Sequence, residues 1–302
     1  MIQLSAALAL FAALCFGLQA LVVQRGMERG TAFAAAFVSI VVSGLLFWGL
    51  AALRGIPVAD LTSTRVLPFV VAGIGYPAMF RLLYFEGIDR VGPSLASAII
   101  AANPAIAAVF AIAALGEGIS ATVVGGLLLI IVGAAVLQFA RDAGDGDAAV
   151  DLLVRRLSDA DRSDLLYPAA AMALYGGASV LIKFGLSSFP SVTTATAVTQ
   201  TTAFVVFAAL IAVSGEARSS VRVGDRYALA SFVVAGVFVA LAWLGQFFAL
   251  QLGTVVTVMP LVNVYSLLVV LLSYAAAREM PRSPQVLASV LAIVAGATLL
   301  QL

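Results

Sequence analysis

Charged residues are confined to short stretches of this chain, and long uncharged runs lie between them. A membrane's hydrocarbon core, about 30 Å thick, is crossed by roughly 20 apolar residues in a helix. Most runs therefore predict one spanning helix each. The 51-residue run 227–277 predicts two, with a turn near Gln251–Thr254, and a further helix begins at 189–191. The uncharged runs cover 1–24, 30–53, 66–80, 91–116, 118–140, 165–182, 184–215, 227–277 and 283–302.

Ten spans follow from these runs, and we number them in chain order. Their predicted boundaries are 3–24, 31–53, 66–87, 92–115, 119–140, 165–187, 190–213, 227–250, 254–277 and 283–302.

Composition supports the same class of protein. The chain is 63% hydrophobic and 10% charged, whereas soluble domains carry about a quarter charged residues. We therefore predict an all-α integral membrane protein. The single Cys15 and the lack of histidine disfavour disulfides, metal sites and cofactors, and a net charge of +1 gives no nucleic-acid footprint.

The sequence FVVAG occurs twice, at Phe69–Gly73 and at Phe232–Gly236, and each copy opens the third span of its half. Sliding the chain by 159 to 163 residues pairs further positions. Gly26 pairs with Gly185, Asn103 with Asn263, and Glu117 with Glu279. Two related units with five spans each must enter the membrane in opposite orientations, so the chain predicts an inverted repeat. This architecture is typical of secondary transporters that work by alternating access.

The paired motifs resemble the EamA-type ten-helix transporters of the drug/metabolite transporter superfamily. The resemblance rests on Phe16-Gly17 through Gln24, Tyr175-Gly176 through Lys183, Asn103-Pro104 followed by Leu115-Gly116-Glu117, and the glycine-rich stretch Gly125 to Gly133. It implies two EamA-like units at 1–140 and 165–302. Two positions depart from the pattern: Gln24 stands where lysine is usual, and Pro260 precedes Asn263 instead of following it.

The predicted linker, 141–164, contains Val150, Leu153, Val154 and Leu157 at helical spacing. This pattern predicts a short amphipathic helix at the cytoplasmic membrane interface, and a solvated linker is the alternative.

Basic residues orient the bundle, because short loops rich in lysine and arginine stay in the cytoplasm. The resemblance implies cytoplasmic termini, whereas the basic residues place both termini outside, and we keep the second prediction. Loops after odd-numbered spans hold Arg25, Arg29, Arg90, Arg141, Arg155, Arg156, Arg162, Arg218, Arg222, Arg226, Arg278 and Arg282; the other loops hold Arg54, Arg65 and Lys183.

The resemblance implies a cavity between spans 1, 3 and 4 and their mates 6, 8 and 9. Polar side chains are costly in hydrocarbon and mark either a wet cavity or hydrogen bonds between helices. Aromatic stripes at helical spacing line a cavity or pack. The predicted substrate-binding residues are Gln19, Tyr76, Phe80, Tyr84, Asn103, Tyr175, Ser179, Lys183, Trp243, Gln246 and Asn263.

Arg81 and Lys183 are the charges that intrude furthest into the spans. Each either extends to the interface or attracts an anionic group such as a carboxylate. Pro77, Pro104 and Pro260 free backbone carbonyls and are expected to bend their helices.

No acidic residue lies deep in a span, since Glu86, Glu117 and Glu279 all fall near span ends. We therefore expect an exporter of small neutral or zwitterionic metabolites, above all amino acids. Export of lipophilic drugs is the alternative, and an intramembrane enzyme is disfavoured because a catalytic group is lacking. We expect a monomeric multi-pass protein of the bacterial inner membrane, whose partners are a small-molecule substrate and the lipid bilayer.

Overall fold

The computed structural model describes residues 2–55, 61–140, 149–189, 191–277 and 284–301. Every regular element in these ranges is helical. Nine helical stretches in these ranges, some of them interrupted, are long and apolar enough to cross a membrane. The predicted tenth span is a shorter apolar helix of 16 residues, Pro284–Leu299.

The helices agree with the predicted spans to within a few residues. Spans 1, 2 and 5 are Ile2–Met27, Ala32–Arg54 and Ala121–Ala140. Spans 6, 7 and 8 are Arg162–Leu186, Val192–Val213 and Arg226–Leu252. Thr31, Asp161, Ser191 and Asp225 cap the starts of spans 2, 6, 7 and 8 through their side-chain oxygens, as these residue types favour.

Three spans that were predicted as single helices are broken near a proline. Span 3 consists of Thr64–Val66, Leu67–Gly73, a wide turn at Ile74–Met79 and Phe80–Val91. Span 4 consists of Pro93–Ala101 and Asn103–Leu115, and span 9 of Val255–Asn263 and Tyr265–Ala277. Proline cannot donate a backbone hydrogen bond and clashes with the preceding turn, so it favours such breaks.

The linker contains the helix Ala149–Asp159. Leu152 and Leu153 pack against the bundle core, whereas Val150, Val154 and Leu157 are exposed. The four apolar residues of the predicted pattern therefore do not act together, because Leu153 faces the protein and the other three do not. Arg141, Arg278, Glu279 and Arg282 lie outside the described residues.

Both copies of FVVAG make the same contacts. A β-carbon on Gly26 would lie 2.6 Å from the ring of Phe232, and one on Gly185 would lie 2.6 Å from the ring of Phe69. The last residue of each copy also packs closely on a neighbouring helix. Gly73 meets span 7 at Thr199, and Gly236 meets span 2 at Ser39.

The contacts in one unit correspond to those in the other under the sequence shifts described above. The repeat is therefore present in the three-dimensional packing as well as in the sequence. Span 1 packs along span 8 and span 6 along span 3, while spans 5 and 10 pack against each other. The structure thus agrees with the prediction of two inverted five-helix units.

Candidate functional site

Aromatic side chains from spans 3, 6 and 8 contact one another in the core of the bundle or against it. Tyr76 lies between Tyr175 and Trp243, with ring centroids 4.2 Å and 5.3 Å away and both pairs stacked. Phe80 contacts Tyr76 edge-on at 5.0 Å, and Tyr84 stacks on Phe80 at 5.7 Å. We call these five side chains the ring cluster.

The break in span 3 positions Tyr76 for this role. Its backbone is extended, with φ of −141° and ψ of 122°, between two helical segments. Under the repeat, Val239 stands at the place of Tyr76 and Ala240 at the place of Pro77, and span 8 is continuous there. The broken turn is therefore a feature of the first unit alone.

Asn103 and Asn263 lie where spans 4 and 9 break, and they are hydrogen-bonded to each other. Asn103 Nδ2 donates to Asn263 Oδ1 at 3.1 Å, and Asn263 Nδ2 donates to the carbonyl oxygen of Ala101 at 2.9 Å. Both side chains are buried. Gly176, next to Tyr175, packs against the backbone of Asn103, so this pair adjoins the ring cluster.

Gln246 also belongs to the site. Its Nε2 approaches the sulfur of Met259 at 3.6 Å, and Gln246 lies one turn beyond Trp243 on span 8. Its Oε1 is buried without a hydrogen-bond partner among the described residues, as is Oδ1 of Asn103. The site therefore contains two buried acceptor oxygens that are unsatisfied.

The remaining predicted residues have other contacts. Ser179 donates to the carbonyl oxygen of Tyr175 within its own helix. Tyr84 also hydrogen-bonds to Ser97 of span 4 at 2.7 Å. Gln19 is half-buried on span 1, one turn beyond Phe16, and makes no hydrogen bond with another described residue.

Lys183 lies at a helix end and not in the ring cluster. Its Nζ donates to the carbonyl oxygens of Leu250 and Gly253, both at 2.7 Å, at the end of span 8. Cations stabilise a helix C-terminus because its last carbonyls lack intrahelical partners. These contacts give Lys183 a structural role in this conformation.

Glu117 makes the complementary contact close by. Its carboxylate oxygens accept from the backbone N–H groups of Val255 and Val256, at 2.9 and 3.1 Å. It thereby ties the loop after span 4 to the start of span 9. Loops after odd-numbered spans define what we call the basic side of the bundle, so Lys183 and Glu117 join helices on the opposite, non-basic side.

The two sides differ in how spans 4 and 9 meet. On the non-basic side, Asn103–Leu115 packs against Val255–Asn263. Their symmetry mates on the basic side, Tyr265–Ala277 and Pro93–Ala101, lack comparable packing among the described residues. Gln24, the mate of Lys183, makes no hydrogen bond with a described residue. Spans 4 and 9 therefore contact each other on the non-basic side and lack that contact on the basic side, among the described residues.

Tyr265 and Arg81 are site residues outside the predicted set. Tyr265 begins the second half of span 9, its ring centroid lies 6.2 Å from that of Phe16, and its hydroxyl lies near those of Tyr76 and Tyr84. Arg81 lies near the Tyr76 hydroxyl. A lone tyrosine two residues after Asn263 is a weak sequence signal, whereas the position of Arg81 predicts that it extends to the interface or attracts an anionic group.

The fold defines a helical membrane protein built from two related halves. The sequence matches the model of the EamA-like transporter family over residues 3–139 and 163–301. The chain belongs to the EamA-like transporter family, which confirms the resemblance seen in its motifs.

Comparison with solved structures gives the same fold. A chain described as "Crystal structure of protein" is similar with a TM-score of 0.78 and 21% sequence identity, over 98% of this chain and 95% of that chain. None of the curated proteins compared with the chain is similar to it in sequence.

Proposed function

We propose that the protein exports small neutral or zwitterionic metabolites, with amino acids as the principal class, by alternating access between the two units. The observation that carries this proposal is the ring cluster, to which both units contribute side chains, beside the Asn103–Asn263 pair at the breaks of spans 4 and 9. Broken helices near the midplane are the usual place for a transported molecule in inverted-repeat transporters.

The chemistry of the site supports a neutral or zwitterionic substrate. Carboxylates are absent from the ring cluster in the described part of the chain. Glu86 forms an ion pair with Arg90 at 2.7 Å, and Glu117 is held by two backbone N–H groups. A site for a cationic drug would be expected to hold a buried acidic group.

The unequal packing of the two sides supports alternating access. The mated halves of spans 4 and 9 are in contact on one side and apart on the other. Exchanging these two arrangements between the units would close the basic side and open the non-basic side. Such an exchange is the usual consequence of inverted-repeat architecture.

Counterflow in liposomes tests the proposed substrate class. Purified protein is reconstituted, and vesicles preloaded with unlabelled compound are given the labelled compound outside. We expect accumulation of labelled neutral amino acids and none of lipophilic dyes. Transport of dyes without amino acids would instead support drug export, which the aromatic site would also serve. Conversion of the compound during the assay would indicate an enzyme.

We further propose that the protein is a monomer of the bacterial inner membrane with both termini in the periplasm. The proposed division is a first unit at 1–140, a cytoplasmic linker at 141–164 and a second unit at 165–302. The partners are then a small-molecule substrate and the lipid bilayer, with no role for nucleic acid or a cofactor.

A further inference from the structure

Arg81 lies within span 3, beside the ring cluster. The helix that holds it continues to Val91, and the next charged side chain, Glu86, is five residues or about 7.5 Å further along the axis. Arg81 follows Phe80 directly and precedes Tyr84 by one turn on the same side of the helix. Its side chain is half-buried.

The guanidinium of Arg81 has no anionic partner in the described part of the chain. It makes no hydrogen bond or ion pair with any described residue. Arginine stays charged in proteins, and an unpaired charge within a membrane span is costly. By contrast, Lys183 and Arg90 are both fully engaged, with backbone carbonyls and with carboxylates.

An unpaired acceptor also lies beside a residue of the ring cluster. Oε1 of Gln246 is buried and has no hydrogen-bond partner among the described residues, and Gln246 lies one turn beyond Trp243 on span 8. The unpaired N–H groups of Arg81 and the unpaired oxygen of Gln246 thus both adjoin residues of the ring cluster. The aromatic faces of the cluster also attract a cation.

We propose that Arg81 binds the carboxylate of the transported molecule, while Gln246 accepts a hydrogen bond from its amino group. This inference rests on the proposed function and narrows its substrate class to compounds with a carboxylate. A guanidinium matches a carboxylate because two N–H groups donate to two oxygens in parallel. Lysine at this position would keep the charge and lose that geometry.

The proposed binding of a carboxylate by Arg81 is tested by how strongly a matched series of compounds inhibits counterflow. The series is leucine, leucinamide without the carboxylate, 3-methylbutylamine without the whole carboxyl group, and 4-methylpentanoate without the amino group. Corresponding series based on alanine and phenylalanine are measured in the same way. In the wild type, we expect compounds with a carboxylate to inhibit roughly tenfold to a hundredfold more strongly than the amide and the amine, because charged hydrogen bonds are strong.

Arg81→Gln should abolish this preference, and Arg81→Lys should retain part of it. The matched control is Arg155→Gln, an exposed arginine in the linker helix, which should behave as wild type. Size-exclusion profiles show which variants are folded. If Arg81→Gln does not fold, Arg81→Lys, which keeps the charge, is used for the test instead.

The two proposals can fail separately. If 4-methylpentanoate binds through Arg81 but leucine does not, amino-acid export is wrong and the role of Arg81 stands. The role of Arg81 is overturned if Arg81→Gln keeps the preference for carboxylates. It is equally overturned if the wild type binds no carboxylate, or prefers the amide or the amine.

Discussion

Asn103 and Asn263 hydrogen-bond to each other at 3.1 Å although 160 residues separate them in the chain. They are mates under the repeat, and each stands where its helix is interrupted. A residue can contact its own mate only near the axis that relates the two units. This pair therefore lies close to the pseudo-two-fold axis of the bundle.

We expect Asn103→Ala and Asn263→Ala each to lower thermal stability in detergent. Interhelical hydrogen bonds in membranes contribute about 0.6 kcal/mol on average, and a buried partner left unsatisfied adds a cost of about 1–3 kcal/mol. The double variant should lose less than the sum of the two single variants, because the bond is lost only once. Additive losses would show that the two side chains are not coupled.

Gly26→Ala and Gly185→Ala should destabilise the protein by similar amounts. Each new methyl group would meet a buried phenylalanine ring at 2.6 Å, and overpacking costs about 1–3 kcal/mol. Thermal unfolding measures the effect, and Phe232→Leu and Phe69→Leu should each rescue the glycine variant they face. Gly44→Ala is the control, because nothing lies within 4 Å of its added carbon. Loss of stability in only one unit would contradict equivalent packing.

The spans could be predicted because the cost of burying a charge acts locally along the chain. The repeat could be predicted because its mates keep a nearly constant spacing. The contacts of Lys183 could not, since they depend on the end of span 8, 67 and 70 residues further on. The helical stripe of Tyr76, Phe80 and Tyr84 was visible, whereas the insertion of Tyr76 between Tyr175 and Trp243 depends on the broken turn of span 3.

Glu117→Ala should open the non-basic side more often. The substitution removes two hydrogen bonds from a carboxylate to the start of span 9. A loss of about 1.5–3 kcal/mol would shift the population of open molecules roughly tenfold or more. With Cys15→Ser as background, Met259→Cys reports this opening through its rate of labelling by a membrane-impermeant maleimide.

Glu86→Ala is the control for this experiment, because Glu86 lies on the basic side and pairs with Arg90. Lys183→Met should act in the same direction as Glu117→Ala, since it frees the end of span 8. If neither Glu117→Ala nor Lys183→Met raises the labelling rate above that of the control, these contacts do not close the non-basic side.

Fusions at the C-terminus test the proposed orientation. Alkaline phosphatase folds only outside the cytoplasm because it needs disulfides, so we expect a fusion after Leu302 to be active. A fusion inserted between Ala160 and Asp161, in the linker, should be inactive. The reverse pattern would place the termini in the cytoplasm, and the basic loops would then lie outside.

Fluorescence of Trp243 tests most directly whether the transported molecule binds at the ring cluster. The chain has two tryptophans, so Trp48→Phe leaves Trp243 as the sole reporter. We expect transported amino acids to change its emission saturably, with half-saturation matching inhibition of counterflow, and Trp243→Phe to abolish the change. Unaltered Trp243 emission in a Trp48→Phe protein that still transports would contradict a site between Tyr76, Tyr175 and Trp243.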